Sequence, residues 1–76
     1  MPYESVNELP ESVRNSLPAH AQDIYKEAFN NAWEEYAEKG DRQGGATREE
    51  TAHKVAWAAV TRGYHKNAES GRWERN

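Results

Sequence analysis

Residues 19–39 read AHAQDIYKEAFNNAWEEYAEK, and in this stretch Ala21, Tyr25, Ala28, Phe29, Ala32, Trp33 and Tyr36 recur at three- and four-residue steps. That spacing puts the apolar side chains on one stripe of a helix of about five turns. Asp23, Lys26, Glu27, Asn30, Glu34 and Glu38 collect on the opposite face. Pro18 suits the first turn, where its missing N–H has no helical partner, and Gly40 stands where a left-handed terminal residue is expected. A helix of this kind is stable only if something covers its stripe, so the rest of the chain must supply the cover.

Downstream, Thr47-Arg48-Glu49-Glu50 has the form of a capping box, in which the Thr47 hydroxyl accepts from the Glu50 amide. The helix it starts carries Ala52, Val55, Ala56, Ala59 and Val60 on one stripe, and Gly63 offers its stop. Three alanines among those five allow a close helix crossing, with Phe29, Trp33 and Trp57 large enough to fill the space beside it. Residues 40–45 (Gly-Asp-Arg-Gln-Gly-Gly) read as the polar connection between the two helices. Upstream, Leu9, Val13 and Leu17 lie four residues apart between Pro10 and Pro18, which predicts one or two helical turns lidding the core.

The expected fold is therefore mainly α. It is a small helical bundle of one domain over residues 1–76, with a short N-terminal helix and two longer core helices. The polar tail from Ala68 to Asn76 is too short to be helical alone, and its single large apolar group, Trp73, either docks or frays. Tyr3 at the other end is a neighbour for it, and a short β pairing of the two termini would dock it.

With 76 residues and no Cys, the chain has neither a disulfide framework nor a thiolate metal site, and its core must hold by packing. No apolar run approaches the ~18 residues of a membrane span, and Met-Pro-Tyr-Glu-Ser lacks the features of a signal peptide. The reading is a cytoplasmic, monomeric protein. Net charge is −3, but it is split: residues 1–41 carry nine acids and three bases, residues 42–76 seven bases and four acids. A dipole of that kind is the usual consequence of two packed halves with differing solvated faces.

Catalytic and metal patterns are missing. His20, Asp23 and Glu27 share a helix face but describe ordinary helix-start chemistry, and His53 follows Glu49 by four residues, as an intrahelical pair does. Nothing resembles a zinc half-site or a nucleophile with its base, so no enzyme activity, cofactor or metal is expected. Direct cation sensing through Glu34, Glu38 and His20 ranks lowest, because those side chains lack preorganised oxygen ligands.

Two surfaces are candidates for binding a partner. Glu34, Glu35, Glu38 and Asp41 concentrate at the C-terminal end of the long helix, where the macrodipole disfavours negative charge, and would suit a basic partner. Lys54, Arg62, Lys66, Arg72 and Arg75 are interleaved with Trp57, Tyr64, His65 and Trp73, a mixture that single-stranded nucleic acid requires. A pI near 5.6 argues against the bulk attraction that non-specific nucleic-acid binding needs.

Three segments carry a resemblance: residues 9–13 (Leu-Pro-Glu-Ser-Val), 17–30 (Leu-Pro-Ala-His-Ala-Gln-Asp-Ile-Tyr-Lys-Glu-Ala-Phe-Asn) and 50–60 (Glu-Thr-Ala-His-Lys-Val-Ala-Trp-Ala-Ala-Val). The sequence resembles the ChaB family over essentially its whole length, departing at Gln43-Gly44-Gly45 and in the tail. The resemblance implies a small, mainly helical, bacterial cytosolic protein that regulates cation transport in association with the cytoplasmic face of a ChaA-type sodium/calcium–proton antiporter. It brings no catalytic residues. On this reading the chain is a non-enzymatic interaction protein, and the alternative is a nucleic-acid-associated module using the basic and aromatic C-terminal half. Residues that would contact a partner are Glu34, Glu35, Glu38, Lys54, Trp57, Arg62, Arg72 and Trp73.

Overall fold

The computed structural model describes residues 2–38 and 47–76, so the Gly40 cap, the connection at 40–45 and Asp41 lie outside the described residues. Its elements in chain order are a 3-10 turn at Val6–Glu8, α1 at Glu11–Ser16, α2 at Ala19–Glu35, α3 at Arg48–Thr61, β1 at Tyr64–Lys66 and β2 at Trp73–Arg75. The fold is mainly helical, as the periodicity requires, with a small antiparallel pair of strands at its C-terminal end.

α2 and α3 form the principal packing pair. Ala21, Tyr25, Phe29 and Ala32 of α2 are buried against a stripe on α3 in which Ala52, Ala56 and Val60 are fully buried and Val55 and Ala59 half-buried. The small α3 residues let the backbones approach, and the volume is filled from the α2 side by Tyr25 and Phe29. Trp33 and Trp57 flank this core and remain half-buried. Leu9, Val13 and Leu17, each less than 5% exposed, close the core from the N-terminal side, as their four-residue spacing predicts.

Helix ends are satisfied by specific donors. The Thr47 hydroxyl accepts from the Glu50 amide at 3.0 Å, which starts α3. Pro18 is the residue before α2 and not its first helical residue, and the turn between α1 and α2 is held by the Gln22 side-chain amide, which donates to the carbonyls of Leu17 (2.7 Å) and Arg14 (3.2 Å). α2 stops at Glu35, short of the Lys39 that periodicity suggests, with the Tyr36 amide still bonded to the Ala32 carbonyl. α3 ends at Thr61 through Arg62, whose backbone stays right-handed, and the Gly63 amide donates to the Val60 carbonyl at 3.1 Å. Gly63 thus stands just past the stop of the helix, as its position suggests, without positive φ; among the described residues only Gly71 has positive φ, at 76°.

Among the described residues the two chain ends do not pair with each other. Trp73 is docked, but by β2 pairing with β1 in the register Tyr64↔Arg75, His65↔Glu74, Lys66↔Trp73. The reason lies in residues 67–72. The Asn67 side-chain oxygen accepts from the amides of Glu69 (2.8 Å) and Ser70 (3.2 Å), and its carbonyl accepts from Gly71 at 2.8 Å. This Asx-type turn returns the chain on itself within a few residues. Tyr3 docks separately: its ring lies 4.6 Å from that of Phe29, and the Asn30 side-chain amide clamps its backbone, accepting from Tyr3 N–H at 2.7 Å and donating to Tyr3 C=O at 2.8 Å.

Candidate functional site

Opposed residues of an antiparallel pair share a face, so Tyr64, Lys66, Trp73 and Arg75 occupy one side of the hairpin and His65 and Glu74 the other. Tyr64 is buried in the core, and Trp73 leans on α3, its ring 5.4 Å from that of Trp57. Trp57 in turn meets the Tyr25 ring edge-on at 5.1 Å. An aromatic row therefore runs from the centre of the core through Trp57 to Trp73 at the surface. Of the residues expected to contact a partner, Trp57 and Trp73 are brought together here.

Arg72 stands beside Trp73, and Arg62, at the end of α3, is tied to the hairpin through its carbonyl, which accepts from the Asn76 side chain at 3.5 Å. Lys54, Arg62, Lys66, Arg72 and Arg75 are all exposed. Among the described residues the ion pairs within 4 Å are both made by histidines, His53 with Glu49 at 3.6 Å and His65 with Glu74 at 3.9 Å. The cationic groups of this surface are therefore not neutralised by described carboxylates. Between the hairpin and the α1–α2 corner lies a cleft of about 220 Å³, lined on one side by Asn15, Leu17 and Pro18 and on the other by Arg72, Trp73 and Glu74.

Glu34 and Glu35 are exposed in the last turn of α2, and Glu38 is exposed just beyond it. Among the described residues no hydrogen bond, ion pair or ring contact joins them to the Trp57–Trp73 surface, so the two candidate surfaces remain separate. What the α2 terminus does receive is Arg48: its Nε donates to the Trp33 carbonyl at 2.7 Å, and its guanidinium lies 4.1 Å above the Trp33 ring. A cation there satisfies a terminal carbonyl and opposes the negative end of the helix dipole. Arg48 escapes a reading of the sequence because its place in the capping box suggests only helix initiation.

A polar relay crosses the helix pair behind this surface. The Tyr25 hydroxyl is hydrogen-bonded to His53 Nδ1, while His53 Nε2 faces Glu49, the pairing their spacing suggests. Burial, and secondarily the charge of Tyr3, push the Tyr25 phenol well above its ordinary value. Burial, and secondarily Glu49, raise that of Tyr3. Tyr25 is thus held neutral as a hydrogen-bonding group. His20 packs at 6.4 Å from the Tyr64 ring, and among the described residues no cluster of three or more His, Cys, Asp or Glu side chains is arranged to hold a metal ion.

The three segments that carry the family resemblance turn out to be the core itself: Leu9 and Val13 of the lid, Leu17 to Phe29 of α2 with its lead-in, and Ala52 to Val60 of α3. The model of the ChaB family matches residues 9–76, the whole of that framework. The chain belongs to the ChaB family. A protein of Escherichia coli strain K12 named "Putative cation transport regulator ChaB" is 59% identical over 75 residues, which are 99% of this chain and 97% of that protein. A Shigella flexneri protein of the same name matches to the same extent. The solution NMR structure of a protein so titled superposes with a TM-score of 0.82 at 57% identity, covering 99% of both chains. The ChaB fold is therefore shared along the whole chain. No helix among the described residues is long and apolar enough to cross a membrane.

Proposed function

We propose that this chain is a non-catalytic regulator of cation transport that works in the cytoplasm by binding the cytoplasmic face of a sodium/calcium–proton antiporter of the ChaA type. The observation that carries this reading is the close match of architecture and length with proteins named as cation transport regulators. The half-buried Trp57–Trp73 pair with the exposed Arg62 and Arg72 near it supports action by contact. Its candidate contact groups are the Trp57–Trp73 pair with Lys54, Arg62 and Arg72, and separately Glu34, Glu35 and Glu38.

Crosslinking in native membranes, followed by purification of the tagged chain, tests this reading together with sodium and calcium tolerance of a deletion strain. Recovery of an antiporter subunit and altered tolerance support it. Repeated recovery of no antiporter component with unchanged tolerance would sink it. Titration with single-stranded oligonucleotides at low salt tests the nucleic-acid alternative, which requires tryptophan quenching that weakens steeply as salt rises.

A further inference from the structure

We infer that the outer edge of β2, with the cleft beside it, is a docking site for an extended acidic peptide segment that adds to the hairpin as a third strand. The hydrogen-bond parity of the hairpin carries the argument. Asn67 N–H donates to the Arg72 carbonyl at 2.7 Å, and Asn76 N–H donates to the Gly63 carbonyl at 3.0 Å. In an antiparallel ladder bonded pairs alternate, so His65 and Glu74 bond each other. The amides and carbonyls of Trp73 and Arg75 therefore point away from β1, along the free edge. Among the described residues these four groups meet no hydrogen-bond partner.

The cleft lies beside this strand and touches none of β1. On its far wall the exposed Pro18 ring offers apolar surface and has no N–H to compete for the edge carbonyls. Charge selects the occupant. From Arg62 to Asn76 the chain carries four bases and two acids. Of those acids Glu74 is already engaged on the opposite face, by the Asn67 side-chain amide at 3.1 Å and by His65 at 3.9 Å. A second copy of this chain would bring two net-basic hairpins together, and pairing Trp73 with Arg75 would set Glu74 against its own copy, which disfavours edge-to-edge pairing of two hairpins. An acidic strand instead finds Arg75 beside Trp73 at cross-strand positions on one face of the hairpin and Arg72 on the other. The inference goes beyond the antiporter reading, since a peptide can occupy this edge whichever protein carries it.

The test uses the full isotopically labelled chain and a blocked synthetic peptide with the core Glu-Thr-Val-Glu, which in antiparallel addition sets Glu opposite Arg75 and Arg72 and Val opposite Trp73. The expected result is saturable amide shifts centred on Trp73 and Arg75. Arg72→Gln and Arg75→Gln, both at exposed positions, each weaken binding about two- to fivefold, and N-methylation of the peptide amides that face the edge abolishes it. Replacing both Glu by Lys does the same. The inference is overturned if the acidic peptide gives no saturable shift, if the N-methylated peptide binds equally well, or if an oligonucleotide or anionic vesicle moves these amides while the peptide does not. Because the peptide is tested alone, failure here leaves the antiporter reading standing.

Discussion

The Tyr25 hydroxyl on α2 is hydrogen-bonded to Nδ1 of His53 on α3, so the two core helices are joined by a polar contact beside their apolar core, in addition to the bond from Arg48 to the Trp33 carbonyl at the end of α2. The two partners are unequal. Tyr25 is fully buried and His53 only partly so. Without the Tyr25 hydroxyl, His53 Nδ1 turns to water, whereas without His53 the Tyr25 hydroxyl is left in the core with no acceptor.

Tyr25→Phe should accordingly cost about 0.5–1.5 kcal/mol, the net value of an ordinary hydrogen bond. His53→Ala should cost more, because an orphaned buried hydroxyl adds about 1–3 kcal/mol and the ring contact with Phe29 at 4.7 Å is lost as well. Urea melts of the double-mutant cycle check this: His53→Ala must be less damaging when combined with Tyr25→Phe than in the parent. Strict additivity would contradict the coupling.

The raised Tyr25 phenol sets an alkaline limit on stability. A folded-state pKa above the unfolded one means the native state holds its proton longer, so the stabilisation is complete below the ordinary tyrosine value of about 10 and is lost as pH rises beyond it. Tyr3 acts in the same direction. Melts between pH 8 and 12, roughly bracketing that value, should show stability falling above pH ~10, and Tyr25→Phe should flatten the fall. Equal slopes for parent and variant would show that Tyr25 titrates normally.

Gly71 turns the hairpin with φ at 76°, and a Cβ built there meets nothing within 4 Å. The cost of Gly71→Ala is therefore conformational, about 1–2 kcal/mol, and not steric. Local opening should follow, since β1 and β2 have three residues each. The expected signature is loss of hydrogen-exchange protection at His65 and Glu74 and weakened contact between Trp57 and Trp73, with the α2–α3 core unchanged. Unchanged protection would mean the turn tolerates the side chain.

Ala56 is fully buried at the centre of the α3 stripe. Ala56→Leu should overpack the helix crossing and cost about 1–3 kcal/mol, a large share of what a domain this small has to lose. A melt like the parent's would mean that the crossing has room for the added carbons.

The core is legible in the sequence because it is written in repeated local signals. The α2 stripe, the alanines of α3, the Thr47 box and the Leu9–Val13–Leu17 spacing each repeat a helical period or a cap, and each is found where that period places it. The hairpin is not, because strands of three residues are too short to show alternation. The signal that exists is the turn chemistry of Asn67 to Gly71 between Tyr-His-Lys and Trp-Glu-Arg. Asn30, Arg48 and His53 are hidden for a different reason. Each lies on the rim of its helix, where spacing points to solvent or to the same helix, while its partner, Tyr3, Trp33 or Tyr25, is distant in sequence. Separation of the acidic α2 end from the Trp57–Trp73 surface likewise depends on how the helices cross, which composition does not encode.

The most direct test of the regulatory account measures cation-driven proton flux in inverted membrane vesicles containing a ChaA-type antiporter, with and without the purified chain. The account predicts that the chain sediments with antiporter-containing vesicles and changes the rate of sodium- or calcium-driven flux, and does neither in vesicles lacking the antiporter. Identical flux in the presence and absence of saturating chain, with no co-sedimentation, would contradict it.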